Sequence, residues 1–178
     1  ELDQRLRARP GDEYLVGLRA AAAYRQGQSA RGRGIQDESV KVNAGKPYPH
    51  NDRAWSALCV PGASLPRALE DARTAVRLSR YREDTYLDTL AAVAAEAGAL
   101  AEARQAIVKA QRLLGMLGPE EHLQYAHGRI AEQIGLREEA IRAYQSVPRE
   151  DPREWCTTHA LAQKRLKALG APPQPGGP

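Results

Sequence analysis

The chain of 178 residues has no phenylalanine, and aromatic residues make up only 5% of it. The apolar share is nevertheless 42%, so alanine, leucine and valine must carry most of the buried surface. Small side chains let helices approach closely, which favours many thin contacts between helices over one thick core. This composition is typical of a solenoid, in which each element packs on its neighbours.

Long apolar runs and cysteines are also scarce. No run approaches the roughly 18 apolar residues that span a bilayer, and the start has no signal-peptide pattern. Cys59 and Cys156 provide no disulfide framework. In a solenoid we expect them about three repeats apart, too far for a bridge, so both are predicted to act as small hydrophobes. The chain begins at Glu1 without methionine, so we expect it to be a piece of a longer protein, and its compartment stays open.

The chain also has no strong excess of acidic or of basic residues. The formal net charge is +4, and acidic and basic residues are interspersed along the predicted helices. This pattern is typical of a solvated surface and indicates a nucleic-acid footprint only weakly.

The clearest periodicity lies between Thr85 and Gly115, where small and apolar residues recur every three or four positions. It predicts two helices that meet at Gly98. The first carries Leu87, Leu90, Ala91 and Ala94, and the second carries Ala103, Ile107, Ala110 and Leu113. Because this apolar stripe is too narrow to form a core alone, the hairpin must pack against neighbours.

The hairpin resembles the tetratricopeptide repeat (TPR), a helical hairpin of about 34 residues. Two further stretches repeat its register. The later unit has Gly128, Ala131, Gly135, Ala140 and Tyr144, with Pro152 at the closing proline, and the earlier has Ala68, Ala72, Ala75 and Leu78. The central unit lacks two of the family's aromatic residues. In the later unit, His127 stands where the family has a leucine, and Val147 stands where it has the last alanine.

The resemblance implies an all-α fold, a right-handed α-solenoid of TPR-like helical hairpins with a C-terminal capping helix. We expect a repeat domain over residues 1–169, with more repeats before residue 1, and a flexible tail over 170–178. The predicted units cover 13–43, 51–80, 85–114 and 120–149, and the capping helix covers 152–169.

Two segments of the early chain fit the repeat less well. Gly32 and Gly34 each cost a helix interior about 1 kcal/mol, so the second helix is predicted to begin late, near Ile35. Pro47 and Pro49 predict an extended connector over residues 44–50, with a binding loop as the open alternative. A short helix from 51 to 60 is expected to follow.

No arrangement of residues supports catalysis. The segment 44–46 lacks the glycine and the Ser or Thr of a phosphate-binding loop. His122 and His127 fall on different faces of a helix, and Cys156 and His159 share a face without further ligands. We therefore predict no enzymatic activity, no metal, no cofactor and no small-molecule substrate.

The resemblance further implies a concave groove, lined by the first helix of each hairpin, that binds a protein or peptide partner. Aromatics and charges of both signs suit such recognition. The Lys and Asn clamp of the family's chaperone-tail receptors is absent. For Trp55 and Tyr125, packing between units is an equally open interpretation. Carried over position by position, the groove residues are Tyr14, Tyr24, Arg25, Asn51, Trp55, Thr85, Asp88, Glu96, His122, Tyr125, Arg129, Glu132, His159, Gln163 and Lys167.

The predicted function is thus a scaffold for protein–protein interaction. One alternative is a regulatory or sensor domain of a larger bacterial enzyme or of an envelope or secretion assembly. Another is weak binding of single-stranded nucleic acid through the basic segment 31–34, helped by Tyr24 and Tyr48. We expect no membrane insertion within this fragment. The formation of homo-oligomers is an open alternative.

Overall fold

The computed structural model describes residues 12–115, 123–151 and 154–172. Within those ranges the chain forms nine α-helices and no strand, which confirms the prediction of an all-α fold. In chain order they are α1 Glu13–Arg25, α2 Ser29–Val42, α3 Pro47–Cys59, α4 Leu65–Leu78, α5 Asp84–Glu96, α6 Leu100–Leu114, α7 Gln124–Gln133, α8 Arg137–Gln145 and α9 Thr158–Ala168.

Consecutive helices pair into hairpins, which stack in chain order. The pairs are α1 with α2, α3 with α4, α5 with α6, and α7 with α8. Each first helix also contacts the first helix of the next hairpin, while α9 packs on α8 and α7. The first helices therefore share one face of the stack, which we call the inner face.

Three of the hairpins close with the same turn. Gly27, Gly98 and Gly135 have φ of 72°, 77° and 82°, a region that glycine enters without a steric penalty. After each glycine, the next residue donates its backbone N–H to the carbonyl five positions earlier, as Ala99 does to Ala94 at 2.8 Å. This arrangement satisfies carbonyls at the helix end. The hairpin of α3 and α4 has a longer connection instead.

The predicted apolar stripe forms the central core. Ala91, Ala94, Ala103 and Ala110 are each 0% exposed, and they pack with leucine and valine side chains from α4, α5 and α6. Leu113 is different, since its side chain is 46% exposed. The stripe of the second helix therefore ends one turn earlier than its spacing indicates.

The late start predicted for α2 is wrong. This helix begins at Ser29 and runs through both glycines. At Gly32 a Cβ would lie 2.5 Å from Cε1 of Tyr24, so glycine is needed to admit the tyrosine ring from α1. The close packing offsets the intrinsic helix penalty of Gly32.

The extended connector predicted over residues 44–50 is also wrong in its second half. Helix α3 begins at Pro47, and Lys46 directly before it has extended backbone, with ψ of 142°. Proline is tolerated in the first turn because the N–H groups there have no partner within the helix. The helix is therefore longer than predicted and contains Pro47, Pro49 and His50.

The final helix begins later than expected. It starts at Thr158, and the Thr157 side chain caps it by accepting the Ala160 N–H at 3.0 Å. Residues 154–157 are not helical. His122, Pro152 and the tail beyond residue 172 lie outside the described residues.

Candidate functional site

The inner face is covered by a later part of the same chain. The residues from 154 to 157, which we call the crossing segment, lie against the C-terminal ends of α1 and α3. Trp155 stacks on Tyr24 with ring centroids 4.4 Å apart and planes inclined by 20°. The indole Nε1 of Trp55 donates to the Cys156 carbonyl at 3.1 Å. These contacts join residues that the sequence places more than a hundred positions apart.

A disulfide bond joins Cys59 of α3 to Cys156 of the crossing segment, with Cα atoms 5.7 Å apart. The prediction that the two cysteines are too distant to bridge is therefore wrong. It assumed that residues far apart in sequence are also far apart along the axis of a solenoid. The chain instead leaves the stack of hairpins after α8 and returns across the inner face to α3.

Helix α9 extends this cover toward the later hairpins. Its residues Leu161 and Leu166 are 7% and 0% exposed. They belong to a cluster with Tyr125 of α7 and Tyr144 of α8, and Trp55 and Leu58 of α3 pack against that cluster. The predicted capping helix thus packs against the inner face of the stack.

Four of the predicted groove residues come together in a buried polar network. Glu96 accepts a hydrogen bond from the Tyr125 hydroxyl and forms an ion pair with Nε of Arg129 at 2.9 Å. Glu132 accepts from Nη1 of Arg129 at 2.9 Å. The network links α5 to α7 and ties each charge to an opposite one.

Two residues that were not predicted complete the network. Tyr144 of α8 donates its hydroxyl to Oε2 of Glu132 at 2.7 Å, and Nε of Arg165 on α9 donates to the same oxygen at 3.0 Å. Glu132 therefore connects three helices. Sequence reasoning missed Tyr144 because it lies on the second helix of its hairpin. It missed Arg165 because the repeat register selected other positions of the last helix, namely His159, Gln163 and Lys167.

The protonation states of the network follow from burial and charge. Burial, and then the Glu96 carboxylate, raise the pKa of the Tyr125 hydroxyl far above its usual range. Burial alone would raise the pKa of Glu132, but hydrogen bonds from Arg165 and Tyr144 outweigh it and hold that pKa below its ordinary value. Burial alone would lower the pKa of Arg129, but Glu96, Tyr144 and Glu132 together outweigh it and raise that pKa. Arg129 and Glu132 are therefore charged at neutral pH.

The other predicted residues are scattered. Asn51 is buried and Trp55 is half-buried, while Arg25, Thr85 and Lys167 are exposed. Asp88, His159 and Gln163 are half-buried on α5 and α9. The side chain of Tyr14 and the whole of His122 lie outside the described residues. Whether the predicted set binds a partner stays a prediction.

An opening of about 270 Å³ lies on the inner face beside the disulfide. Leu58, Leu65 and Leu161 provide apolar walls, and Cys59, Glu96 and Arg165 also line the opening. Lys164 also lines the opening, is exposed, and has no ion pair with any described residue. Such an opening can accept an apolar side chain that has an acidic neighbour.

A second cleft, of about 330 Å³, lies between α2, α3 and α4. Its main charges already pair with one another. Arg53 donates to both oxygens of Asp71 at 2.7 Å and to Asp37 at 2.9 Å, and Arg67 donates to Asp37 at 2.8 Å. We interpret this cluster as an ion-pair network that joins two hairpins. It has no local sequence signature, because each ion pair joins residues of two different helices.

Two simpler features bear on the alternatives. The basic segment 31–34 lies inside α2, so it is not an unstructured arginine-glycine tract. The described residues hold no group of three or more His, Cys, Asp or Glu placed to bind a metal ion. Nor does any helix among them combine the length and the apolar character required to cross a bilayer.

Comparison with protein-family models, with curated proteins and with solved structures finds no match to this chain. The geometry of the inner face is therefore the basis for the functional proposal.

Proposed function

We propose that this chain is a TPR-like protein-interaction domain whose inner face binds an extended segment of a partner protein. The observation that carries the proposal is the crossing segment itself. It is a non-helical stretch that this face holds through an aromatic stack and a hydrogen bond to the main chain. A surface that holds a non-helical segment of its own chain has the chemistry to hold one from another protein.

The opening beside the disulfide is a part of the inner face that the described residues leave uncovered. We propose that it takes an apolar side chain of the partner against Leu58, Leu65 and Leu161. An adjacent Asp or Glu of the partner then pairs with Lys164, which lacks a carboxylate partner among the described residues. A partly buried charge pair at the rim of an apolar contact adds orientation more than affinity.

This function can be tested by selecting peptides from a random display library on the oxidised chain. We expect the selected peptides to combine an apolar residue with a nearby acidic one. Their affinity, measured by calorimetry, should fall about tenfold on Lys164→Glu, because the charge reversal places a carboxylate against the acidic residue.

The matched control is Lys109→Glu, since Lys109 contacts the Tyr81 ring at a cleft away from the inner face. This variant should bind the selected peptides as the native chain does. If no peptide is enriched, or if the two variants bind equally well, the opening is not a peptide-binding site.

A further inference from the structure

The crossing segment is fastened to the inner face in three chemically different ways. A disulfide joins Cys156 to Cys59, the indole N–H of Trp55 donates a hydrogen bond to the Cys156 carbonyl, and Trp155 stacks on Tyr24. Only the disulfide is covalent. The other two contacts are of the kind that a segment from another protein can reproduce.

The surface beneath Trp155 is organised independently of it. From within its own hairpin, the Tyr24 ring packs on Gly32, and its hydroxyl donates to Gln36 at 2.7 Å. Gln36 in turn donates to Ser56 at 2.6 Å. The aromatic platform is therefore held in place from below, and departure of the crossing segment would expose a formed site.

Resting on the function proposed above, we propose that the Cys59–Cys156 disulfide latches the crossing segment onto the inner face as an internal ligand. Reduction by a dithiol releases that segment and opens the Tyr24 and Trp55 surface to a tryptophan-bearing segment of a partner. Tryptophan is specified because the internal ligand uses one, and because its indole offers a large aromatic face that can stack over the tyrosine ring. The partner must also supply a main-chain carbonyl for the Trp55 indole.

The disulfide can be approached from one side. Cys59 is half-buried and lines the opening of about 270 Å³, whereas Cys156 is 8% exposed. A thiolate of the dithiol attacks Sγ of Cys59, the S–S bond breaks, and Cys156 leaves as a thiolate that takes up a proton. The second thiol of the reductant then displaces Cys59, which is also protonated. The protein gains two electrons and two protons, and the dithiol becomes a disulfide.

Release of the segment can be measured without any partner. The Cys59→Ser/Cys156→Ser double variant is compared with the oxidised native chain in limited digestion by chymotrypsin, with circular dichroism as the check on folding. We expect cleavage after Trp155 to become at least tenfold faster, because the segment is no longer latched. Cleavage after Tyr144, which is 0% exposed, should not change. Equal cleavage after Trp155, or acceleration at both sites together, would overturn the proposal.

Partner chemistry is tested with a labelled peptide that carries residues 149–158 of this chain with serine at position 156. The protein is the Trp155→Ala chain, in which the platform is vacant once the disulfide is reduced by dithiothreitol. We expect at least tenfold tighter binding to the reduced form than to the oxidised form, and loss of binding when the peptide tryptophan is changed to alanine.

A matched pair of protein variants locates the peptide. In the Trp155→Ala background, Tyr24→Leu should weaken binding and Tyr81→Leu should not, since Tyr81 is 48% exposed on another surface. A peptide that binds both redox forms equally, or that does not need its tryptophan, overturns the inference. If the display selection fails but these measurements give the expected results, the opening at Lys164 is rejected as a peptide-binding site. The proposal that the disulfide holds the crossing segment in place is then still supported.

Discussion

At the scale of single residues, two positions require glycine because a tyrosine ring packs against them, and not because of their backbone conformation. At Gly128 a Cβ would lie 2.5 Å from Cε1 and 2.6 Å from Cδ1 of Tyr144, as it would lie 2.5 Å from Tyr24 at Gly32. Tyr144 is 0% exposed and is held by its bond to Glu132. The Tyr144 ring therefore cannot move aside to make space for an added Cβ.

Gly128→Ala should consequently destabilise the chain by about 1–3 kcal/mol, the usual penalty for overpacking a core. The measurement is the free energy of unfolding from urea titration followed by circular dichroism. Gly34→Ala is the matched control, because Gly34 is also helical and nothing lies within 4 Å of an added Cβ. That control should be neutral or stabilising by up to about 1 kcal/mol. Equal destabilisation by both changes would show that the tyrosine contact is not the cause.

At the scale of elements, Glu132 determines how α7, α8 and α9 are held together. Glu132→Gln removes the charge that faces Arg129 and Arg165 while keeping the size of the side chain. We expect a loss of about 1–3 kcal/mol near neutral pH, because two partly buried guanidinium groups lose a charged partner. Glu138→Gln is the control, since its pair with Arg142 is exposed, and it should change stability by less than about 0.5 kcal/mol.

The same carboxylate predicts how stability depends on pH. Its pKa is lowered in the folded chain, so its contribution is complete above the unfolded value of about 4.3 and disappears as pH falls through the lower folded value. The difference between the native chain and Glu132→Gln should therefore shrink on acidification below about pH 4. Urea titrations at pH 7 and at pH 3 measure it. A difference that stays constant would show that the charge of Glu132 has no stabilising role.

The helices were predictable because their signals are local. Periodicity between Thr85 and Gly115 gives both helices of the third hairpin, with Gly98 at the turn. The start of α2 was missed because the ring that requires Gly32 comes from another helix. The residues of the polar network were named in part from the repeat register, which placed Glu96, Tyr125, Arg129 and Glu132 on facing helices. The crossing segment has no comparable signal, since its contact with Trp55 joins residues 101 positions apart.

At the scale of the whole molecule, the disulfide closes a loop between residues 97 positions apart. Most of the central core lies on α4, α5, α6 and α7, and neither cysteine lies on these helices. The chain therefore has two separable sources of stability, a core built from neighbouring hairpins and a cross-link that restricts the unfolded chain.

Reduction of Cys59–Cys156 should accordingly lower the free energy of unfolding by about 2–4 kcal/mol, since the unfolded chain regains the freedom that a long closed loop denies it. The helical signal of the reduced chain at 25 °C should stay close to that of the oxidised chain, because the core contacts are untouched. Urea titrations with and without dithiothreitol test both expectations, and the Cys59→Ser/Cys156→Ser variant excludes effects of the reductant itself. Loss of most helicity on reduction would mean that the hairpins do not hold together without the cross-link. The disulfide would then be a condition of folding and could not serve as a latch.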